Sequence, residues 1–408
     1  MQVIVSPGNM SGVVTIPPSK SMMQRACAAA LLHNGTTVIT NPGYSDDDKA
    51  ALSIIQQLGA EVYETVDNTI EIVSSGLRPK SDVIHCGESG LSARLFIPIA
   101  ALSHSDITVT GTGSLLHRPM KEYLHVLPKL GVSILETNDG LPMVVRGSLQ
   151  PGNIKIDGSA SSQFLTGLLT VYSFTATEPV HIMVSHLVSQ PYIDLTLQIL
   201  KSFGKNIINQ DYRKFIIDPK LHTQVDEVNI HIEGDWSAGA NFIVAQVMGA
   251  EVYIKGLKEN SVQADATITK VVNGNKAFEF DATHSPDLFP ILAVYAAYCK
   301  GVSKIKGLHR LKYKESNRAE SIYALLYKLG TSFVLSNDDE LIVIGAEKPF
   351  RSCIINSYND HRIVMAAAIA ALRATGPVTI NGAEAVNKSY PAFFDDLLSL
   401  GVDCQFVN

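Results

Sequence analysis

Tryptophan occurs once in 408 residues, and aromatic residues make up only 7% of the chain. So few rings cannot supply the stacking platforms on which single-stranded nucleic acid binds. A cationic excess is missing too. The 33 Lys and Arg face 39 Asp and Glu, a formal charge of −6, so no extended basic surface for nucleic acid is expected. The five cysteines (Cys27, Cys86, Cys299, Cys353 and Cys404) are scattered, with no C-x-x-C pair and no metal-ligand spacing, and no metal site is predicted. Cys27 and Cys299 fall in apolar runs and read as small buried hydrophobes. Runs such as "RIVMAAAIAALRATG" fall short of the ~20 residues that span a bilayer. The opening "MQVIVSPGNMSG" lacks a basic stretch followed by a long apolar core, the mark of a secretory signal. The expectation is a soluble, reduced, cytoplasmic protein with neither a nucleic-acid nor a membrane partner.

What the chain has is core-forming material, 46% hydrophobic against 18% charged residues, enough for two domains. It also has a repeat. "SIIQQLGAEVYE", "HVLPKLGVSILE", "QILKSFGKNIIN", "ALLYKLGTSFVL" and "DLLSLGVDCQFV" each read as an amphipathic helix, a glycine in the left-handed cap and then a strand. The glycines, Gly59, Gly131, Gly204, Gly330 and Gly401, stand 72, 73, 126 and 71 residues apart. The long gap fits two units, with a degenerate sixth ending around Gly274. A second series runs in step: "SKSMMQRACAAALL", "ESGLSARLFIPIAAL", "SSQFLTGLLTVY", "DWSAGANFIVAQVM", "SPDLFPILAVYAAY" and "NDHRIVMAAAIAAL". These helices are apolar on nearly every face and are predicted to be buried. Six α/β units of about 70 residues exceed solenoid length and make two globular domains of three units each. The change is placed near Gly234, giving 19–233 as one domain and 1–18 plus 234–408 as the other.

The buried helices begin oddly. "PPSKSMMQR" sets Lys20 and Arg25 at a helix start, where unsatisfied N–H groups already carry partial positive charge. Arg94 and Arg362 lie in or near similar first turns. Each such cation is unfavourable by ~0.3–1 kcal/mol unless an anion joins it, so convergence on bound anions is predicted, in a cleft between the two halves. A nucleotide loop is a poor match, because the glycines of G-x-x-x-x-G-K-S/T are missing and "GTGSLL" lacks the third glycine of a dinucleotide fingerprint. The densest polar cluster is "LHRLKYKESNRAES", in which Lys314 and Arg318 share one face if the segment is helical. Alone it reads as a solvated helix face. With Asp287 in "SPDLFP", Asp360, His361 and Arg362 in "YNDHR" and Lys388 in "NKSYP", it reads as carboxylates, a histidine and cations collected at element ends, where catalytic groups sit.

"PPSKSMMQR", "GESGLSAR", "HRPM", "GSASSQFL", "SQPYIDLT", "EGDWSAGANF", "SVQADA", "SPDLFP", "KYKESNR", "YNDHR" and "NKSYPAFF" follow the order and spacing of the EPSP synthases, the 3-phosphoshikimate 1-carboxyvinyltransferase family, and the chain resembles that family from about residue 2 to residue 405. The resemblance implies the enolpyruvyl transferase fold, an inside-out α/β barrel in which each of two domains holds three βαβαββ units around buried parallel helices. It implies transfer of the enolpyruvyl (1-carboxyvinyl) group of phosphoenolpyruvate to the 5-hydroxyl of 3-phosphoshikimate, with loss of phosphate through a tetrahedral intermediate, in aromatic amino acid and chorismate biosynthesis. No metal or organic cofactor is implied. The family's contacts to shikimate 3-phosphate fall on Lys20, Ser21, Arg25, Ser161, Ser162, Gln163, Ser189, Tyr192, Asp287 and Lys314. Those to phosphoenolpyruvate fall on Lys20, Gly90, Arg94, Arg118, Gln163, Arg318, Arg362 and Lys388.

Chemistry suggests the roles. Asp287 is the base for the 5-hydroxyl; Glu315 is the leading acid for the methylene carbon if burial raises its pKa, with Lys314 its rival. Lys20, Arg94, Arg118 and Lys388 stabilise the departing phosphate, and His361 orients Glu315 or the intermediate. Some positions depart from the commoner family pattern: Glu88 and Leu91 in "GESGLSAR", Asn317 in "KESNR", and Met22-Met23. Leu91 has a plain packing reading, and Trp236 reads as core or hinge packing. Asp46, Asp47 and Asp48 read as an acidic first helical turn. The sister transferase acting on a UDP-linked amino sugar characteristically has "KN" where this chain has Lys20-Ser21. A non-enzymatic sugar-phosphate binder need not keep Asp287, Lys314 and Glu315 together. A monomer whose cleft closes on shikimate phosphate is expected.

Overall fold

The structure, a computed structural model, describes residues 1–65, 67–136, 140–336, 339–346 and 348–407. It divides into two compact units, Met1–Pro17 with Gly234–Asn408, and Pro18–Glu233.

The Pro18–Glu233 unit holds three four-stranded sheets with one shared plan. In each, a parallel pair is extended by two antiparallel strands. Val83–His85 lies parallel to Ile107–Thr110, which pairs with Met143–Arg146, which pairs with Ser133–Glu136. Ile154–Asp157, Val180–Ser185, Lys214–Ile217 and Ile207–Gln210 repeat the order. In the remaining sheet the parallel partner of Asn34–Thr40 is Glu227–His231, from the far end of the unit.

The other unit has two sheets of that plan. The second, Cys353–Asn356 with Val378–Asn381, is completed by the N-terminal strand Gln2–Val5, which lies between Val378–Asn381 and Cys404–Val407. Its third sheet is reduced to Ser11–Thr15 beside Glu251–Lys255. The reduction matches the weak ending near Gly274: the surface helix there shrinks to Ala264–Thr267 and Ile268–Val271, and among the described residues no hairpin joins that sheet.

The six buried helices are Lys20–Leu32, Gly90–Ala100, Gln163–Thr175, Trp236–Val247, Phe289–Tyr298 and His361–Ala371. Every residue of Gly90–Ala100 and of His361–Ala371 is buried, as helices apolar on all faces must be. The five surface helices end as the glycines predicted, with φ of 119° at Gly59, 84° at Gly131, 71° at Gly204, 79° at Gly330 and 84° at Gly401. At Gly204 a β-carbon would also sit 2.1 Å from the Thr223 carbonyl oxygen, so only glycine closes that turn.

One buried helix carries a defect that a neighbouring tyrosine repairs. Pro98, inside Gly90–Ala100, has no N–H to give the carbonyl of Arg94 four residues earlier. The buried Tyr123 hydroxyl donates to that carbonyl instead and lies 3.1 Å from the carbonyl of Phe164 in the neighbouring helix. Burial raises the Tyr123 pKa well above the usual phenol value, and the hydroxyl keeps its proton. Gly167 completes the contact, since a β-carbon there would lie 2.2 Å from the Arg94 oxygen and 2.4 Å from the Tyr123 hydroxyl. Tyr123→Phe should lower the free energy of unfolding by about 1–3 kcal/mol, read by urea denaturation; an unchanged midpoint and slope would contradict this repair.

Candidate active site

In the Pro18–Glu233 unit the sequence-predicted cations gather near helix starts. Lys20 is the first residue of its helix, whose first turn contains no acidic residue. Its Nζ lies 2.8 Å from Oδ2 of Asp47, and both side chains are largely buried. Asp47 belongs to the first turn of the helix Asp46–Gln57, which Ser45 and Asp48 close with a reciprocal capping box. The acidic-turn reading of Asp46–Asp48 is right, and Asp47 in addition neutralises Lys20. Asp48 is buried, which pushes its carboxyl up to about 7.

Arg25 and Arg94 sit in the second helical turn, not the first. The repulsion from helix ends therefore applies to Lys20 and Arg362, and these two arginines owe their position to other contacts. Arg25 is 2% exposed and donates to the Thr196 hydroxyl at 2.9 Å and to the carbonyls of Ser21 at 2.7 Å and Tyr192 at 3.2 Å. All three are neutral acceptors. Burial lowers its pKa to about 10, so it stays charged at neutral pH, a buried cation suited to an anion.

Arg94 donates to Gln163 Oε1 at 2.8 Å and to the Pro119 carbonyl at 3.2 Å, and lies over the Phe164 ring at 4.9 Å. Arg118 donates to the Ser114 hydroxyl at 3.2 Å. Both guanidinium groups crowd Gly90, where a β-carbon would fall 2.6 Å from Arg118 Nη1 and 3.0 Å from Arg94 Nη1. Two like charges over one glycine form a fork for a dianion. The beginning of the helix Gln163–Thr175 supplies Ser161, Ser162 and Gln163, with the Ser161 hydroxyl accepting from the Gln163 N–H. Ser189, 4% exposed, holds a left-handed conformation (φ 54°) immediately before the helix Gln190–Ser202, on which Tyr192 lies. Leu91 is buried, as the packing reading of this departure expects, and so is Trp236 in the other unit.

In that other unit the centre is Asp287, in the short turn Pro286–Leu288 before the buried helix Phe289–Tyr298. Its Oδ1 lies 2.8 Å from Arg318 Nη1 and 3.4 Å from Lys314 Nζ, and its Oδ2 lies 3.0 Å from Arg362 Nη2. Burial alone would raise its pKa; Arg362, Lys314 and Arg318 override burial and hold it well below the usual carboxylate range. Lys314 is shifted down by burial, against the pull of Asp287.

Lys314 and Arg318 do not share a helical face, because the segment between them is not helical. Lys314 is extended, at the end of the turn Leu308–Tyr313, and the helix begins only at Arg318. The two meet because both reach one oxygen of Asp287.

Arg318 has no exposed surface. It donates through Nε and Nη2 to Asp360, through Nη1 to Asp287 and through Nη2 to Glu315. Four of its five N–H bonds thus go to three carboxylates. Asp360 also caps the helix His361–Ala371 by accepting from the Arg362 N–H. In the motif "YNDHR" the sequence offers it no individual role beyond a carboxylate at an element end, and its place as a helix cap is the signal for this contact. His361, fully buried, opens that helix. Before it, Tyr358 and Asn359 adopt φ of 53° and 59°, with the Asp360 N–H returning to the Ser357 carbonyl at 3.0 Å. This tight turn directs the Asn359 carbonyl to Lys388 Nζ at 2.6 Å. Among the described residues, no group of three or more His, Cys, Asp or Glu side chains is arranged for a metal ion.

Arg318→Met should cost about 3–5 kcal/mol at neutral pH by leaving buried carboxylates without their cation, measured by urea denaturation. The sign with pH follows from the depressed Asp287: its stabilisation is complete above the unfolded carboxylate value near 4 and is lost as pH falls through the folded one. The difference between the proteins should therefore shrink in acid; a constant gap would contradict the ionic account.

Comparison with known proteins gives a consistent result. The sequence model of the family "EPSP synthase (3-phosphoshikimate 1-carboxyvinyltransferase)" matches residues 4–397. The 3-phosphoshikimate 1-carboxyvinyltransferase of Clostridium novyi (strain NT) is 35% identical over 424 residues, covering 97% of each chain. That of Clostridium kluyveri is 34% identical, covering 98% of this chain and 97% of its own. The solved EPSP synthase of Acinetobacter baumannii superposes with a TM-score of 0.81 at 24% identity, over 99% of this chain and 100% of that one. The enolpyruvyl transferase NikO of Streptomyces tendae gives 0.77 at 19% identity, over 99% and 98%. At those identities the solved structures speak for the fold.

Proposed function

The chain belongs to the EPSP synthase family, and from that premise we propose that it transfers the enolpyruvyl group of phosphoenolpyruvate to the 5-hydroxyl of 3-phosphoshikimate, releasing phosphate. One observation carries the reading: Asp287 held among Lys314, Arg318 and Arg362. Both substrates are anions and need cations; the attacking hydroxyl needs a base. Surrounded by those cations, Asp287 is a weak base. An anionic substrate that engages Arg362 and Lys314 raises its proton affinity at the moment the hydroxyl arrives.

The protons then balance. Asp287 takes the hydroxyl proton as the 5-oxygen bonds to the central carbon of phosphoenolpyruvate, and the methylene carbon gains a proton. Glu315 accepts from Arg318, whereas Lys314 holds ammonium protons whose release burial favours. The donor is therefore assigned to Lys314, with Glu315 holding Arg318 in place. In the elimination the methyl group returns a proton to Lys314, and phosphate leaves with the proton from Asp287. Lys20, Arg94, Arg118 and Lys388 stabilise its charge. Ser21, Arg25, Ser161, Ser162, Gln163, Ser189 and Tyr192 hold shikimate phosphate. Buried His361 acts by orientation. No cofactor enters this balance. The working form is a cytoplasmic monomer; among the described residues no helix is long and apolar enough to cross a membrane.

Phosphate release from phosphoenolpyruvate should depend on 3-phosphoshikimate, with UDP-N-acetylglucosamine as the competing acceptor; release with the sugar nucleotide alone would overturn the reading. Asp287→Asn should lower kcat by about 10²–10⁴-fold in a folded protein, and near-normal turnover at saturating substrates would remove Asp287 as base. Gly90→Ala pushes the Arg94 and Arg118 forks apart. It should cost roughly tenfold to a hundredfold in kcat/KM for phosphoenolpyruvate, while thermal unfolding stays near that of the parent.

A further inference from the structure

Asp265 has no part in the chemistry above, yet it is only 2% exposed and lies in the charged field of the base. It stands in the short turn Ala264–Thr267. Its Oδ2 accepts from the Ser237 hydroxyl, and its Oδ1 is buried without a hydrogen bond. Ser237 belongs to the first turn of the helix Trp236–Val247, capped by Asp235, which accepts from the Ala238 N–H at 3.0 Å. The charged groups acting on Asp265 are Asp235 from that cap, Asp287 from the turn before Phe289–Tyr298 and Arg362 from the start of His361–Ala371. Arg362 gives Nη2 to Asp287, and its Nε is buried without a hydrogen bond. One guanidinium thus lies in the field of three carboxylates, Asp287, Asp265 and Asp235, and its ion pair is with Asp287.

The Ser285 hydroxyl donates to the Ala264 carbonyl at 3.0 Å, which ties the turn of Asp265 to the turn that holds Asp287. We propose that Asp265 is a positioning residue of the reaction: its buried charge acts on Arg362 together with that of Asp287 and keeps Asp287 basic enough to take a proton. The inference rests on the enolpyruvyl-transfer reading. A negative charge near Asp287 raises the proton affinity of that carboxylate. The same charge opposes a substrate anion at Arg362. Taking it away strengthens anion binding and weakens the base together, a pairing that lost packing does not produce. The acid form of Asp265 is within reach: burial, helped by Asp287 and opposed by Arg362, pushes its carboxyl up to about 7. Protonation removes the useful charge, so kcat should fall as pH drops through that region.

The test uses the whole chain with phosphoenolpyruvate and 3-phosphoshikimate. Asp265→Asn keeps the shape and an acceptor for Ser237. It should lower kcat about tenfold, the effect of one pKa unit on the base, lower the KM for phosphoenolpyruvate, and flatten the acid limb of the kcat profile. Because a buried carboxylate with a raised pKa weakens the fold above its unfolded value near 4, the variant should unfold at an equal or higher urea midpoint at pH 8. Ser237→Ala, which removes the donor that favours the ionised form, should move the acid limb to higher pH. Unchanged kcat and KM in Asp265→Asn, or a raised KM with a lowered urea midpoint, would overturn the inference. Absence of 3-phosphoshikimate-dependent phosphate release in the parent protein would overturn instead the reading beneath it.

Discussion

The fully buried guanidinium of Arg318 is the contact on which the chemical half of this structure depends. A charge with no exposed surface is tolerable only where it is matched, and Asp287, Glu315 and Asp360 match it. The same match gathers four separate elements: the turn before Phe289–Tyr298, the extended segment at Lys314 and Glu315, the helix that Arg318 begins, and the cap of His361–Ala371. Arg318 thereby sets where Asp287 and Glu315 stand. In the proposed reaction its part is to place the carboxylates as much as to offer charge to a substrate.

Around that hub the cations outside it serve two purposes in turn. Arg362 and Lys314 satisfy Asp287, and in the proposed reaction they are the groups an anionic substrate would engage. Exchange of one anion for another keeps the cations matched, which avoids the cost of a bare buried charge. In the proposed reaction it would also link occupancy to basicity, because a carboxylate gains proton affinity when its cations turn to another anion. In the Pro18–Glu233 unit the device differs. Lys20 is matched by Asp47, whereas Arg25 is held by neutral partners, three oxygens and the face of the Tyr192 ring.

The helices supply the rigidity both arrangements need. Pro98 breaks the hydrogen-bond ladder at the turn that begins with Arg94, and Tyr123 and the close approach at Gly167 restore it from outside the helix. A defect repaired by tertiary contacts ties the Arg94 backbone to the helix Gln163–Thr175, whose first residue, Gln163, receives the Arg94 side chain. Backbone and side chain of one arginine are thus anchored to the same neighbour.

Much of this was legible in the residues. Helices apolar on all faces had to be buried, and left-handed glycines had to end the surface helices, because both are local consequences of side-chain chemistry. Lys20 in "PPSKSMMQR" and Arg362 in "YNDHR" stood out at helix starts for the same kind of local reason, whereas Arg94 in "GESGLSAR" lies a turn further on. Tertiary structure decided which charges meet. It took Lys314 off the helix of Arg318 and placed both on Asp287, gave Asp360 to Arg318, and put Asp265 in the field of Arg362 and Asp287. Those pairings join residues tens of positions apart, and their strength depends on distance and burial. A local pattern of residue types contains neither.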